Sequence, residues 1–538
     1  MDHVERNRGA ERFTRFCAGG VLTLVSLLAL YLFVSALLGT ADISAGGGMG
    51  EILTFTRDSL PLNLAVLGGS LALVFLFWRF CDPIPLRLLW ALLFGWTLLF
   101  GVVFICSVKL SPSQDSYIVS FWAMQAAKGD YSWYEGYFAA YPYQFGFGGY
   151  AALLLQPLYR LMPGAPDGYA CLLLQGVNLL WLCLAYLALL RLARLLSGSE
   201  RAEKLTAVLL LLSPHGVLFA TFVYGNLPGF ACAALAVWLF LEWAKKGRWW
   251  CLPPCILFLA AAVILKLNYL IVFIALVIVW LLSLLRRRDW RAALCLVLCV
   301  AAVLGTKNLP QRLFEKRMGM EPSPGLPLWS WLALGLSEGQ SCAGWYDATY
   351  TLDAFRDAEG DRAGVTAIAM EGIRQRLSDF RADPAGAADF FQRKFLSQWN
   401  EPSYEVIWNN NVREHITPPG RLYYLLCRDG EAALKGWMNF YQQLILLGLL
   451  LCLAELWRRR EIGESLLPLI LLGGMLYHLL FEAKSQYALV YFWLMIPLAA
   501  WGAAALFARL FPPRRYAAEE PLTEEDPVPA PALPDEEA

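Results

Sequence analysis

The sequence predicts an all-α, polytopic membrane protein with about twelve transmembrane helices. Of its 538 residues, 58% are hydrophobic and only 16% are charged, whereas globular domains have about 45–50% apolar and about 25% charged residues. The apolar residues fall in runs of about 17–25, the length at which a helix crosses a bilayer. Lys and Arg cluster between these runs, a pattern that sets the orientation of membrane proteins.

Twelve apolar runs are the predicted spans. They cover residues 17–39, 61–81, 86–108, 169–193, 204–222, 227–244, 251–267, 268–285, 291–306, 436–457, 464–481 and 486–510. The first run is too long for the apolar core of a cleaved signal peptide, so we expect it to be retained. A thirteenth run, 146–162, is short and is interrupted by Gln156-Pro157.

Basic residues indicate whether the run 146–162 crosses the membrane. Arginines before the first span place the N-terminus in the cytoplasm, and Arg79 and Arg87 place the next inner loop there too. The third span then leads outward, to Asp115. If 146–162 does not cross, every later basic cluster lies inside; these are Arg191–Lys204, Lys245–Arg248, Arg286–Arg288, Arg458–Arg460 and Arg514–Arg515. We therefore predict that 146–162 is an extracytoplasmic juxtamembrane helix.

This topology divides the chain into five segments. They are a cytoplasmic tail with two extra transmembrane helices (1–84), a core module whose first outer loop is 109–168 (85–306), a mixed extracytoplasmic loop domain (307–435), C-terminal transmembrane helices (436–515) and a disordered, acidic cytoplasmic tail (516–538). The tail is expected to be disordered because it is rich in acidic residues and proline and has no apolar face.

Asp115 is the first candidate functional residue. A carboxylate at the mouth of a membrane helix is costly to place, so it indicates function; the alternative is a helix N-cap. Such a carboxylate can act as a general base and take the proton from an attacking hydroxyl. Because a phosphate leaves readily, no general acid would be needed for a phosphate-linked sugar.

Two lysines at outer span ends are candidates for binding the phosphate, Lys266 and Lys484. The alternative for each is a solvated or snorkelling side chain. Further candidates for substrate binding are Tyr143, Gln144, Asn226, Glu482 and Tyr487. For the aromatic residues, the alternative is the aromatic belt of the membrane interface. We expect Arg393 and Lys394 to be surface charges, and His215 and His478 to be packing residues.

Several short segments, taken in their order along the chain, resemble one family. They are Asp115-Ser116-Tyr117 with Gly129-Asp130-Tyr131, Tyr141-Pro142-Tyr143-Gln144-Phe145-Gly146, Leu265-Lys266-Leu267-Asn268-Tyr269, Leu334-Gly335-Leu336 before Gly344-Trp345-Tyr346, and Glu482-Ala483-Lys484-Ser485-Gln486-Tyr487. The chain from about 85 to 510 resembles the C-type glycosyltransferase (GT-C) superfamily. It is most similar to bacterial members related to protein O-mannosyltransferases and aminoarabinose transferases.

The resemblance implies a GT-C fold and a glycosyltransferase of the cell envelope, multi-pass in the plasma membrane, with an extracytoplasmic active site. The donor would be a polyprenyl-phosphate-linked sugar, and the acceptor a lipid, an envelope polymer or a protein, with no nucleic acid. Asp115 matches the family's catalytic acidic residue. Lys484 stands where many relatives have an Arg associated with the carrier phosphate.

The chain departs from the family pattern at two places. An acidic residue that many relatives have in the second outer loop is replaced by Tyr224-Gly225-Asn226. The usual second acid beside Asp115 is also absent, so Asp130 or Glu135 would have to supply it. Both departures weaken the case for a divalent metal, and we therefore predict metal-independent transfer with inversion and no cofactor.

Two other classes of protein remain open. A transporter or flippase of lipid-linked glycans would also be polytopic, but such proteins often show inverted repeats, and none is visible in this sequence. A ligase or polymerase of lipid-linked glycans would also have a large outer loop, but relies more on Arg and His there. The large loop and the carboxylate at the end of a span favour an enzyme over a transporter.

Overall fold

The computed structural model describes residues 2–46, 50–131, 135–287 and 289–512. The protein is nearly all α-helical, at 79% helix. Within the described residues, nine helical segments are long and apolar enough to cross a membrane, which indicates a multi-pass membrane protein. They are Arg8–Leu38, Leu60–Phe80, Leu86–Val108, Asp167–Ser197, Asn226–Lys246, Leu267–Arg286, Trp290–Met318, Glu431–Arg459 and Ser485–Leu510.

A β-hairpin joins the first two long helices. These elements are α1 (Asp2–Leu38), β1 (Gly39–Ala45), β2 (Glu51–Arg57) and α2 (Leu60–Phe80). The strands are antiparallel and pair Gly39 with Arg57 at the base of the hairpin. The side chain of Asn63 donates to the Leu37 carbonyl (2.9 Å), which ties the start of α2 to the end of α1. The sequence analysis did not anticipate the hairpin.

The chain after the third span forms short helices that lie together. They are preceded by α3 (Leu86–Val108) and comprise α4 (Gln114–Lys128), α5 (Glu135–Ala140) and α6 (Phe145–Leu161). Helix α4 ends at Gly129, whose φ of +99° suits glycine best. Helix α6 packs closely on α4. A Cβ added at Gly148 would lie 2.9 Å from the Trp122 ring, so the close approach depends on glycine there. Helix α6 is not among the nine long apolar segments; its juxtamembrane position stays a prediction.

Seven helices follow in the core module. They are α7 (Asp167–Ser197), α8 (Glu200–Leu212), α9 (His215–Phe219), α10 (Asn226–Lys246), α11 (Leu252–Leu265), α12 (Leu270–Arg287) and α13 (Trp290–Thr306). The predicted span 204–222 is divided into α8 and α9, because Pro214 disfavours helical backbone at the residue before it. The Ser199 side chain caps α8 by accepting a hydrogen bond from the Ala202 amide (3.4 Å).

The remaining helices form the long loop and the C-terminal bundle. The loop contains α14 (Leu309–Met318), α15 (Leu328–Leu336), α16 (Leu352–Asp357), α17 (Arg362–Ala382), α18 (Pro384–Trp399), α19 (Val406–Val412) and α20 (Arg421–Tyr423), and the bundle α21 (Glu431–Arg459), α22 (Leu466–Leu480) and α23 (Ser485–Leu510). Helices α15 and α17 share a small apolar core, whereas Trp399 belongs to the main core. Whether the loop is a separate domain stays a prediction.

The count of twelve spans is confirmed only in part. Nine predicted spans coincide with the long apolar segments. Two others, 251–267 and 464–481, coincide with shorter apolar helices, Trp249–Leu265 and Leu466–Leu480. The predicted tail 516–538, with Arg288, Arg514 and Arg515, lies outside the described residues.

Close packing of α21 on α23 anchors the C-terminal helices. A Cβ at Gly502 would lie 2.2 Å from the Gly448 carbonyl oxygen, so both backbones approach each other through glycine. Trp493 of α23 is fully buried in the main core. The first turn of this packed helix carries the candidate residue Tyr487, and Lys484 immediately precedes it.

Candidate functional site

A cavity of about 300 Å³ lies where α4, the start of α6 and the ends of α11 and α22 meet. Six of the eight predicted site residues line it: Asp115, Tyr143, Gln144, Lys266, Glu482 and Tyr487. Of the other two, Asn226 lines a neighbouring groove and Lys484 lies beside the cavity without lining it. Residues more than 350 positions apart along the chain are thus brought to one place.

Asp115 is in the first turn of α4, and its side chain opens onto the cavity. The N-cap position belongs to Ser113, so the capping alternative for Asp115 is not what the structure shows. The preceding residue, Gln114, has a φ of +51°, a conformation that costs energy for a residue with a Cβ and is common at functional sites. The backbone is therefore strained directly before the carboxylate.

The surroundings of Asp115 make it a stronger base than an ordinary aspartate. Protein atoms enclose the cavity, and this burial raises the pKa of Asp115. The charges of Lys484 and Lys266 and the nearby Tyr137 side chain oppose the rise without cancelling it. A carboxylate with a raised pKa binds a proton more readily than a solvated one, as a general base requires.

Lys266 is the cation of the cavity. It lies between α11 and α12, and its Nζ sits 4.3 Å from the centre of the Tyr224 ring and 5.0 Å from that of Tyr487. These cation–π contacts hold the ammonium group over two aromatic faces. Burial lowers the pKa of Lys266 to about 8, although Glu482 and Asp115 oppose this. It forms no ion pair with a described carboxylate, so its charge is available to an anionic ligand.

Glu482 is the second carboxylate of the cavity. It follows α22, and its Oε2 accepts a hydrogen bond from the Tyr487 hydroxyl (3.2 Å). Burial raises the pKa of Glu482 to about 7, with Lys484 opposing and Asp115 adding to the shift. Two carboxylates with raised pKa values therefore line one cavity together with an ammonium group that has no carboxylate partner among the described residues.

The second carboxylate that lines the cavity, Glu482, does not come from the loop that carries Asp115. Asp130 follows the end of α4, where its amide donates to the Gln125 carbonyl (3.0 Å), and it does not line the cavity. The side chain of Glu135 lies outside the described residues. The second acid beside Asp115 thus comes from the far end of the chain.

Tyr143 and Gln144 reach the cavity from the short 3₁₀ turn Pro142–Gln144 before α6. The Gln144 amide donates a hydrogen bond to the Tyr224 hydroxyl. Tyr224 also contacts Lys266 through its ring. The turn Tyr224-Gly225-Asn226 therefore contributes an aromatic platform for the lysine.

Lys484 is held differently from Lys266. Its Nζ lies 2.6 Å from Glu51 Oε1 and 3.9 Å from Glu405 Oε2. Burial lowers the pKa of Lys484, but the charges of Glu51 and Glu405 outweigh burial and raise it overall. Lys484 is thus permanently charged and already paired; a direct phosphate contact through it stays a prediction.

Lys394 corrects an expectation, because it is buried rather than a surface charge. Its side chain is fully buried in α18, and its Nζ donates to the Gly335 carbonyl. Burial lowers the pKa of Lys394 to about 7. Next to it, the Gly344 carbonyl accepts a hydrogen bond from the Ala483 amide (2.8 Å). Lys394 therefore supports the loop that positions Glu482. Arg393 is at the surface, paired with Asp389 (2.7 Å).

An apolar groove continues from the cavity between α10, α12 and α23. Lys266, Asn268, His478 and Tyr487 line both spaces, so the two are continuous. The rest of the groove is mostly apolar, with Phe230, Ala233, Ala234, Val237, Val272, Val490 and Leu494 along its walls. A ligand with a polar head and an apolar chain fits this arrangement.

Sequence reasoning missed several residues of the site. Tyr137 acts on the pKa of Asp115, and Glu51 pairs with Lys484; neither belongs to a motif, and the hairpin that carries Glu51 was not predicted. His478 lines both the cavity and the groove, although we expected it only to pack. Its position four residues before Glu482 was the one signal that could have pointed to it.

The described residues contain no group of three or more His, Cys, Asp or Glu arranged to hold a metal ion. Metal independence nevertheless stays a prediction. No protein-family model matches the sequence, and no curated protein matches it significantly. The fold and the site thus define a multi-pass membrane protein with an enclosed, charged cavity that opens into an apolar groove.

Proposed function

We propose that the protein is a membrane glycosyltransferase of the GT-C type. It moves a sugar from a polyprenyl-phosphate-linked donor to an acceptor hydroxyl. The observation that carries this proposal is that Asp115 and Lys266 line the same cavity, which continues into an apolar groove. A base and a cation are what transfer from a phosphate-linked sugar requires, and the groove suits an isoprenoid chain.

The donor binds with its phosphate at Lys266. The ammonium group is held by Tyr224 and Tyr487 and has no carboxylate partner among the described residues. With a pKa of about 8, it is largely protonated at neutral pH. The isoprenoid chain runs along the apolar walls of α10, α12 and α23, where burial of apolar surface contributes about 25 cal/mol per Å².

Asp115 is the general base of the reaction. It takes the proton from the acceptor hydroxyl while that oxygen forms a bond to the anomeric carbon. The bond from the anomeric carbon to the phosphate oxygen breaks, and its electron pair leaves with polyprenyl phosphate, whose added negative charge is stabilised by Lys266. A single displacement inverts the configuration at the anomeric carbon. Glu482 and Tyr487 bind the substrate beside the reacting groups.

The proposal includes a topology. The shorter apolar helices α11 and α22, together with α8 and α9, complete about twelve crossings, and α6 lies at the membrane surface. The site then faces the extracytoplasmic side of a bacterial plasma membrane. Polyprenyl-phosphate sugars are the expected donors there, and the acceptor is a lipid, an envelope polymer or a protein. No bound metal takes part.

The test compares Asp115→Asn with Asp130→Asn, a matched change in the same loop outside the cavity. Lipid-linked sugars and envelope glycans are first compared by mass spectrometry with and without the gene, which identifies donor and product. We expect Asp115→Asn to lower transfer by about 10²–10⁴-fold at an unchanged protein level, and Asp130→Asn to leave it within about twofold.

Three outcomes contradict the proposal. Full activity of Asp115→Asn would exclude Asp115 as the base. Movement of an intact lipid-linked glycan across the membrane, with no transfer product, would identify a transporter instead. Transfer of a whole glycan rather than a single sugar would indicate a ligase or polymerase.

A further inference from the structure

Three buried hydrogen-bond acceptors line the apolar groove near its junction with the cavity. They are Asn226 Oδ1, Gln486 Oε1 and His478 Nε2, and none has a hydrogen-bond partner among the described residues. The three residues are 3%, 7% and 1% exposed, respectively. Buried polar atoms are normally satisfied, so each orphan requires an explanation. Three on one groove indicate a ligand that brings donors.

The acceptor role of His478 is fixed by its other ring nitrogen. Nδ1 lies 3.1 Å from the Glu482 carbonyl oxygen. A carbonyl can only accept, so Nδ1 carries the proton and Nε2 of the neutral ring is the acceptor. A second ring proton would add an unpaired cation beside Lys266. The ring also stacks on Tyr487, with centroids 5.5 Å apart, and His478 lines both the cavity and the groove.

The chemistry of the polyprenyl-phosphate-linked sugar indicates which of its groups hydrogen-bonds to these acceptors. A phosphate group and an isoprenoid chain offer acceptors and apolar surface, respectively, and neither satisfies a buried acceptor. The hydroxyl groups of the sugar are the hydrogen-bond donors of such a molecule. The carboxamides of Asn226 and Gln486 can turn to present either oxygen or nitrogen, whereas His478 can only accept.

We propose that His478 Nε2, flanked by Asn226 and Gln486, accepts a hydrogen bond from a hydroxyl of the sugar to be transferred. This inference rests on the proposed function and adds a determinant of sugar specificity to it. The subsite accepts a sugar with a hydroxyl at the contacted position and rejects the deoxy analogue, which would leave Nε2 unpaired. Sites built to pair a substrate hydroxyl discriminate strongly for this reason.

Two substitutions separate the functions of the two ring nitrogens. His478→Asn keeps a donor near the Nδ1 position for the Glu482 carbonyl but has nothing at Nε2. His478→Gln reaches the Nε2 position and can accept there. A matched control is His215→Asn, because both ring nitrogens of His215 have protein partners, Ser213 Oγ (3.0 Å) and the Pro402 carbonyl (2.7 Å).

The experiment measures binding to the purified full-length protein. The probes are undecaprenyl phosphate, a panel of undecaprenyl-phosphate hexoses and pentoses, and single-deoxy analogues of the tightest binder. We expect His478→Asn to weaken binding of the tightest glycosylated probe at least about tenfold. The affinity for undecaprenyl phosphate should stay within about twofold of the wild-type value. One deoxy analogue should bind the wild type and His478→Asn equally, and His478→Gln should restore most of the preference for the sugar.

Four results overturn the inference. Equal weakening of undecaprenyl phosphate by His478→Asn would show that the residue acts on the phosphate or on packing. An unchanged preference for the sugar would exclude the contact. If no polyprenyl probe binds the wild type, the proposed function fails and this inference with it. A preference lost in His215→Asn as well, in protein that remains folded, would show that any buried histidine has the effect.

Discussion

The ammonium nitrogen of Lys484 lies 2.6 Å from Oε1 of Glu51, a residue more than 400 positions earlier in the chain. Glu51 begins strand β2 of the N-terminal hairpin, and Lys484 immediately precedes α23. Both side chains are mostly buried, at 12% exposure for Lys484 and 10% for Glu51. The N-terminal hairpin therefore holds a lysine whose charge acts on Asp115 and Glu482.

Replacing Glu51 with glutamine should weaken the contact between the hairpin and Lys484 and destabilise the protein. Lys484 would keep only the longer contact with Glu405, and loss of one partner of a mostly buried ion pair costs about 3 kcal/mol. We expect a lower midpoint of thermal unfolding in detergent and a lower rate of transfer. Glu371→Gln is the control, because Glu371 pairs with Arg374 at the surface, where both side chains are at least 67% exposed. Equal behaviour of the two variants would contradict the prediction.

Lys484 should also set the acidic limit of activity. Its charge is the largest influence that opposes the burial-driven rise in the pKa of Asp115 and of Glu482. Removing it in Lys484→Gln raises both pKa values further, so Asp115 becomes protonated, and inactive as a base, at a higher pH than in the wild type. The acidic limb of the rate–pH profile should therefore move to higher pH. An unmoved limb would exclude this coupling.

Lys266 should set the alkaline limit. Because burial lowers the pKa of Lys266 to about 8, its positive charge is present below that pH and is lost as the pH rises through it. Transfer should fall in the same range. Lys266→Arg keeps its charge and should move the alkaline limb up by about one pH unit or more, whereas Lys266→Met should lower activity at every pH. A wild-type profile that is flat up to pH 10 would be inconsistent with this assignment.

Gly225 should be required for the position of Lys266. A Cβ at Gly225 would lie 2.0 Å from the Leu265 carbonyl oxygen and 3.4 Å from Lys266 Cβ. Gly225→Ala must therefore displace the Lys266 backbone, at a cost of about 1–3 kcal/mol. Gly176→Ala, in the middle of α7 with no atom within 4 Å of the new Cβ, should be neutral or stabilise the protein by about 0.5–1 kcal/mol. Thermal unfolding of the two variants in detergent measures the difference.

The loop between α6 and α7 provides a test of topology. Gly164 is exposed, and the proposal places it outside the cell, whereas Arg248 between α10 and α11 is placed inside. A membrane-impermeant maleimide should label Gly164→Cys in intact cells and Arg248→Cys only after permeabilisation. Both variants are made with Cys106, the one exposed cysteine, replaced by serine. Labelling of Gly164→Cys only after permeabilisation would mean that α6 crosses the membrane.

Long apolar runs could be located well because one helix supplies all of its own backbone hydrogen bonds and needs only length and hydrophobicity. Nine predicted spans agree with the structure for that reason. Shorter runs were less certain. The run 204–222 contains Ser213-Pro214 and forms two helices, since local backbone restrictions outweigh average hydrophobicity there. The hairpin at 39–57 escaped prediction because its pairing depends on two short strands meeting.

The candidate site, like the fold, could be predicted from the sequence only in part. Asp115, Lys266 and Glu482 could be selected from the sequence because charges at the ends of apolar runs are costly and therefore conspicuous. Their functional states could not be predicted. Lys266 rests on aromatic rings and has no ion-pair partner in the residues that the structure describes, whereas Lys484 is paired with Glu51, and no local pattern distinguishes the two lysines.

By itself, the sequence determined that this chain is a helical, multi-pass membrane protein with unusual charges at the ends of its spans. Hydrophobicity and charge are properties of single residues and can be summed along a chain. Only the tertiary structure decided that Asp115, Lys266 and Glu482 share one cavity, that Glu51 pairs with Lys484 and that His478 Nε2 has no hydrogen-bond partner within the described part of the chain. Hydrogen bonds and ion pairs are short-range and depend on distances between segments hundreds of residues apart, which the order of residues does not contain.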